Sequence, residues 1–230
     1  MARKPQFGLS VVEAEPLHEK VYREIVRALV SGRFEPGQKL TSRKLAQELG
    51  TSDMPVRAAL MRLQAQQALR PLPNGSLEVP QIKASEFAQL MDARTVVEGG
   101  ATERAAGLVN GNNLRTIRKL SDELTSAAKG GDINRYLVAN YDFKFAIYRH
   151  CGNAPLLFLI ETLWMQVGPF LRRYAGSFDG ALSGILDIDY HEEALAALEK
   201  GDGAKAREAI VRDISEGAVY LLKNAEFTSE

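Results

Sequence analysis

One cysteine, Cys151, stands in 230 residues, so no disulfide can close within the chain. No run of about eighteen apolar residues occurs, which excludes an expected membrane span, and the N-terminal residues lack the apolar core of a signal peptide. Net charge is absent as well, because 29 Lys/Arg balance 29 Asp/Glu. Internal repeats and low-complexity tracts are missing, and no nucleophile motif or phosphate-binding loop is found. These absences leave a globular protein expected in the reducing cytoplasm. With 45% apolar and 25% charged residues, the length suits two modest domains, each with its own core.

What is present concentrates in residues 40–63, LTSRKLAQELGTSDMPVRAALMRL. Leu45, Ala46 and Leu49 give one short helix a buried stripe; Val56, Ala59, Leu60 and Leu63 give a second helix another at i, i+3, i+4, i+7 spacing. Gly50 between them permits the left-handed backbone that ends a helix, and the Ser52 hydroxyl is placed to cap the next. Pro55 falls in the first turn of that second helix, where a missing N–H costs little. Two helices joined in this way make a helix-turn-helix, which presents a helix N-terminus to the DNA major groove.

The flanks extend the motif. Upstream, Leu17, Val21, Ile25 and Leu29 mark an amphipathic helix ending at Ser31-Gly32, followed by the turn Glu35-Pro36-Gly37. Downstream, Leu69 to Leu72 and Leu77 to Val79 flank Pro73-Asn74-Gly75-Ser76, a hairpin signal. Three helices with a two-stranded wing predict a winged helix-turn-helix over residues 11–80, preceded by a disordered arm over 1–10 and followed by a linker over 81–84. The run G-R-F-x-P-G-x-x-L from Gly32, L-A-x-x-L-G from Leu45 and S-x-x-P-V-R-x-A-L from Ser52 resembles the GntR family of bacterial transcription regulators, from about His18 to Val79. Charge agrees: residues 1–80 hold 12 Lys/Arg against 8 Asp/Glu, and 81–230 hold 17 against 21. A positive excess on the segment with the motif suits phosphate contact.

From Ser85 to Phe227 only helical periodicity appears, broken by Gly, Asn and Asp. Helices are predicted at roughly 85–107, 111–129, 132–150, 154–174, 180–200 and 202–224, and their short connections favour an antiparallel bundle. The predicted class is therefore mainly α: a winged helix-turn-helix followed by an all-helical bundle over 85–227. Four of the bundle helices carry a polar residue inside an apolar stripe. The stripes are Phe87, Leu90, Arg94, Val97, Ala101; Ile133, Leu137, Asn140, Lys144, Ile147, Cys151; Ile188, His191, Leu195, Leu198; and Ala206, Ile210, Asp213, Gly217. A charge buried without a partner costs several kcal/mol, so convergence of Arg94, Asn140, Lys144, His191 and Asp213 on one polar cavity explains them together. Taken singly, Lys144 and Arg94 could snorkel to solvent and Asn140 could bond across helices.

The second half resembles the FadR C-terminal ligand-binding domain, an effector and dimerisation module. The likeness rests on Arg94-x-x-Val97-Glu98, on Phe143-Lys144 ahead of Gly152-Asn153, and on His191 followed by Leu195, Gly201-Asp202 and Ala206. Many members of that group hold a divalent metal through an Asp and three His. The matching positions here are Asn140, Lys144, His191 and Asp213, and only His191 keeps the family's residue. A lysine ammonium offers no lone pair, so neither metal nor other cofactor is expected. Lys144, held by Asp213, is expected to replace the cation and, with Arg94, to attract a small organic acid. A purely structural Lys144–Asp213 pair and a metal-dependent member of the family are the alternatives.

The first resemblance also implies roles on the DNA side. Arg43 contacts phosphate or a base edge. Ser52, Asp53, Met54 and Arg57 occupy the exposed start of the recognition helix, with Arg57 the first choice for a guanine contact. Asp53, where many relatives carry Arg, could accept from cytosine. Asn74 and Gly75 at the wing tip are placed to reach the minor groove. The expected protein is a cytoplasmic, nucleoid-associated homodimeric regulator, a repressor rather than an activator, on a near-palindromic operator. Residues Pro80 to Ala84 are expected to carry the effector signal. A helical enzyme and a protein-binding sensor are the other classes; neither explains Arg43, Arg57 and the wing together.

Overall fold

The computed structural model describes residues 16–176, 185, 187, 189–224 and 227–228. The expected arm over 1–10 and, within the helix expected at 180–200, residues 180–184, 186 and Ile188 lie outside the described residues. The amino-terminal half runs α1 (Leu17–Val30), β1 (Lys39–Leu40), α2 (Ser42–Glu48), α3 (Asp53–Ala65), β2 (Arg70–Pro71) and β3 (Leu77–Glu78). Val21, Ile25 and Leu29 of α1 pack with Leu45, Val56, Leu60 and Leu63 into a buried core, whereas Leu17 at the head of the expected stripe is 53% exposed. Gly50 has φ +62° in the turn between α2 and α3, the left-handed region that glycine enters without a steric penalty.

Two local expectations need correction. Ser52 stands at the N-cap of α3, but its hydroxyl makes no capping bond; the functional cap in this region is Thr41, whose side chain accepts from the Lys44 N–H at the start of α2. The wing is a three-stranded antiparallel sheet in the order β1-β3-β2, not a lone hairpin. Lys39 faces Glu78 across one seam and Arg70 faces Glu78 across the other. Two isolated strands make a marginal unit, and β1 supplies the third while burying Leu40. Its two residues are too short to show a period-two pattern in sequence.

The second half contains α4 (Ala84–Ala106), α5 (Gly111–Lys129), α6 (Ile133–Tyr148), α7 (Ala154–Gly176), α8 (His191–Glu199) and α9 (Gly203–Asn224). Helices α4 and α9 pack so closely that a Cβ on Gly99 would lie 2.9 Å from Val211. Phe87, Phe143, Phe145, Tyr148, Trp164 and Phe170 fill the bundle core. Helix α8 begins at His191, with non-helical Tyr190 as its N-cap. Asp189 and Tyr190 are thus not part of a helix as the sequence pattern suggested.

Helix α7 is the element that tests the expectation drawn from apolar runs. Its stretch Ala154–Arg172, with mean hydropathy 1.4, is long and apolar enough to cross a membrane by length and composition. Here it is a packing helix: Ile160, Trp164, Met165, Val167 and Phe170 are buried, and it touches both halves of the molecule. At Gly168 a Cβ would lie 2.5 Å from the Leu29 carbonyl oxygen of α1, so glycine is what allows the two backbones to meet. An ion pair between Arg27 of α1 and Asp142 of α6 at 3.1 Å adds a second tie between the halves. Past α9 the chain returns to this junction. The Thr228 N–H donates to the Ile82 carbonyl at 3.3 Å, and the Phe227 ring lies 5.2 Å from Phe87 and stacks on Phe170 at 6.1 Å.

Candidate DNA-binding surface and effector chamber

Helix α3 buries Val56, Ala59, Leu60 and Leu63, which turns its remaining faces to solvent. Met54 is 76% exposed, and Ser52 and Arg57 are exposed beside it. Arg43, Asp53 and Arg57 line one shallow groove together with Ser42. Arg57 also lines a second groove with Asn74 and Gly75 of the wing. The structure therefore brings Arg43, Asp53, Arg57, Asn74 and Gly75 to two grooves that share Arg57, formed by α2, α3 and the wing, while Ser52 and Met54 are exposed but line neither. The Asn74 side-chain oxygen is committed within the wing turn, where it accepts from the Ser76 N–H at 3.1 Å and hydroxyl at 2.6 Å.

Asp53 is less free to read a base than its sequence position suggests. Its carboxylate accepts from Arg57 Nη2 at 2.7 Å. A hydrogen bond from Ser42, followed by the bond from Arg57, holds its pKa below the usual carboxylate value. Ser42 went unnoticed in sequence because it precedes the buried stripe of α2.

In the bundle, Arg94, Asn140, Lys144 and Asp213 line a cavity of about 50 Å³, with Tyr136, Asp189 and Leu171 also on its wall. A buried water needs about 10–15 Å³ on this measure, so the space holds a few waters or a ligand of a few heavy atoms. Helix α4 contributes Arg94, α6 contributes Asn140 and Lys144, and α9 contributes Asp213. His191 is not on the wall. It stands behind Asp189, 2% exposed, with Nδ1 at 2.7 Å from Asp189 Oδ1 and Nε2 at 2.8 Å from the Thr125 hydroxyl.

Every charged group here has a buried counter-charge. The Lys144 ammonium donates to Asp213, and their side chains are 4% and 12% exposed. Arg94 Nε donates to Glu98 Oε1 at 2.5 Å, and Tyr148 donates to Glu98 Oε2 at 2.6 Å. The Arg94 guanidinium also lies 4.5 Å from the centroid of the Trp164 ring. Burial works against the charge on Arg94, yet Glu98 outweighs it and raises the pKa. Burial likewise pushes Asp213 up, with Lys144 opposing. For Asp189 the bond to His191 and the nearby Lys144 overcome burial and hold it below the usual value. His191 rises for the reciprocal reason: burial disfavours the imidazolium, but Asp189 more than offsets it.

On the chamber wall, sequence reasoning did not single out Tyr136 and Asp189; behind it, Tyr148 and Trp164 were also missed, and Glu98 entered only as part of the family motif. Arg94 and Glu98 do carry a signal, the i,i+4 spacing of an ion pair on one helix face. Asp189 carries none, because it lies in irregular chain between helices.

Two family models match. One, for the FCD domain, covers residues 89–216; the other, for bacterial regulatory proteins of the gntR family, covers residues 17–79. The chain belongs to the GntR family, in its FCD-bearing branch. It is 29% identical over 203 residues to the HTH-type transcriptional regulator McbR of Escherichia coli (strain K12), spanning 88% of this chain and 91% of that protein. It is also 27% identical to a probable D-xylose utilization operon transcriptional repressor of Paenarthrobacter nicotinovorans, over 86% of this chain and 84% of that one. Among solved structures, E. coli McbR/YncC superposes with a TM-score of 0.85 at 26% identity, covering 93% of this chain and 100% of the other. A putative GntR regulator from Rhodococcus sp. RHA1 reaches 0.71 at 18% identity and shares the fold.

This GntR-family protein is thus a transcription regulator, and its relatives are regulators rather than enzymes. Its chamber does not fit a divalent metal. An ammonium occupies the position between the acidic side chains, and both ring nitrogens of His191 are engaged by Asp189 and Thr125. Among the described residues no group of three His, Cys, Asp or Glu is placed to hold an ion. Ligation requires several deprotonated donors with free lone pairs at once.

Proposed function

We propose that this regulator binds a near-palindromic operator as a homodimer and releases it when a small carboxylate enters the chamber. The observation that carries the reading is Lys144. Its buried ammonium, held by Asp213 on the wall of a cavity that Arg94 also lines, puts positive charge at a position that the family resemblance matches to a metal ligand. Arg94 keeps one side of its fork for a ligand, since Nη1 meets only the Met91 sulfur at 3.4 Å. A carboxylate bonded to Arg94 Nη1 and to the remaining Lys144 donors would gain charge-assisted hydrogen bonds in a site of low dielectric.

The route to DNA runs through α7 as well as through Pro80–Ala84. Leu171 lines the chamber, and Gly168, one turn earlier, meets the end of α1. A shift of α7 on ligand entry moves the DNA-binding half against the bundle, and the ligand's preference for one pose sets the size of the effect.

The test is a thermal-shift panel of two- to four-carbon carboxylates with their amides as controls. A carboxylate at about 100 times its Kd stabilises by about 2.7 kcal/mol; its amide should not. Asn140→Ala, which leaves the ion pairs intact, should reduce the shift. Equal shifts with acid and amide, or stoichiometric zinc or nickel in the purified protein, would refute the reading.

A further inference from the structure

We propose that Asp53 is a positioning residue for base reading, holding the fork of Arg57 in the groove rather than contacting DNA itself. The proposal rests on Arg57 as the base-contacting residue of α3. The Asp53 carboxylate accepts from Arg57 Nη2 at 2.7 Å, and Ser42, the first residue of α2, lines the same groove beside them. The carboxylate at the start of α3 therefore grips the side chain of Arg57, next to the start of α2. All three residues line the same groove, so the tether lies on the face that meets DNA.

Two physical consequences separate this role from simple charge repulsion. Arg57 is 65% exposed along its side chain, and an arginine stem of that exposure samples many rotamers unless something holds it. Bidentate pairing with guanine needs the planar fork in one orientation, so a held fork raises discrimination between bases. If Asp53 acted only as a negative charge near phosphate, its removal would tighten binding to every sequence alike. If it positions Arg57, its removal lowers discrimination at one base pair and leaves general affinity unchanged or slightly tighter.

The experiment selects binding sites from a randomised duplex pool with the full chain, comparing wild type with Arg57→Ala, Asp53→Ala, Asp53→Asn and Ser42→Ala. Melting temperature is recorded for each. Arg57→Ala should erase the preference at one step of each half-site. Asp53→Ala should weaken that same step by about five-fold or more, the range of a good bidentate contact. Asp53→Asn keeps an acceptor oxygen and should restore most of it, with Ser42→Ala intermediate. The proposal is overturned if Asp53→Ala leaves the Arg57-dependent step intact, or alters a different step, which would make Asp53 a base reader. It is equally overturned if the loss tracks a lowered melting temperature that Asp53→Asn does not repair. Should Arg57→Ala alter no step, the Arg57 assignment fails and the proposal with it. Should wild type select no sequence at all, site-specific recognition itself fails.

Discussion

Two arginine–carboxylate pairs at the same i,i+4 spacing sit in the two halves of this molecule and do opposite work. In α3, Arg57 and Asp53 meet at 2.7 Å with side chains 65% and 40% exposed; in α4, Arg94 and Glu98 meet at 2.5 Å with 2% and 0% exposed. Water screens the first pair, so it adds little to stability and its value lies in orientation. The second has no water to fall back on, so losing one partner strands a charge. Sequence spacing is identical; burial decides the consequence.

The comparison breaks if Glu98→Gln is tolerated. That change leaves Arg94 buried without its counter-charge and should cost about 3–5 kcal/mol in urea unfolding. A loss below 1 kcal/mol would show that water reaches the pair. Lys144→Met should act the same way through Asp213, and Lys144→Met with Asp213→Leu should recover most of the loss, since apolar residues can replace a buried pair.

The junction between the halves comes next in size. Gly168→Ala forces a methyl to within 2.5 Å of the Leu29 carbonyl and should cost about 1–3 kcal/mol. It should also raise hydrogen exchange at the end of α1. Unchanged exchange there would mean that the halves part without consequence. On the exposed side, Arg57→Ala should weaken specific operator binding by about 1–3 kcal/mol in anisotropy titrations, with the melting temperature unmoved. The smallest effect sharpens the contrast: a double-mutant cycle on Asp53 and Arg57 in free protein should give about 0.3–0.5 kcal/mol.

Much of this was legible from spacing alone. The helix-turn-helix was readable because Gly50 and the stripe Val56, Ala59, Leu60, Leu63 are local features, and local rules govern them. Arg94, Asn140, Lys144 and Asp213 stood out as polar residues inside apolar stripes, and the fold gathers them on one cavity wall. His191 shared that signal but faces Asp189 behind the wall, because periodicity gives a helix face and not the depth of a side chain. The partners of the charges were harder to see. Tyr148 and Trp164 lie outside the stripes that carried the polar signal, and Asp189 lies outside any helix. Strand β1 was hidden by its length, since its pairing with β3 is made by tertiary contact rather than by pattern.

The return of Phe227 and Thr228 to the domain junction has a practical side. With Thr228 bridged to Lys83 and the Phe227 ring clustered with Phe87 and Phe170, anything spliced in just behind them starts at the seam between the two halves. A purification handle or fluorescent protein joined close behind Thr228 would crowd that seam and disturb any motion transmitted across it.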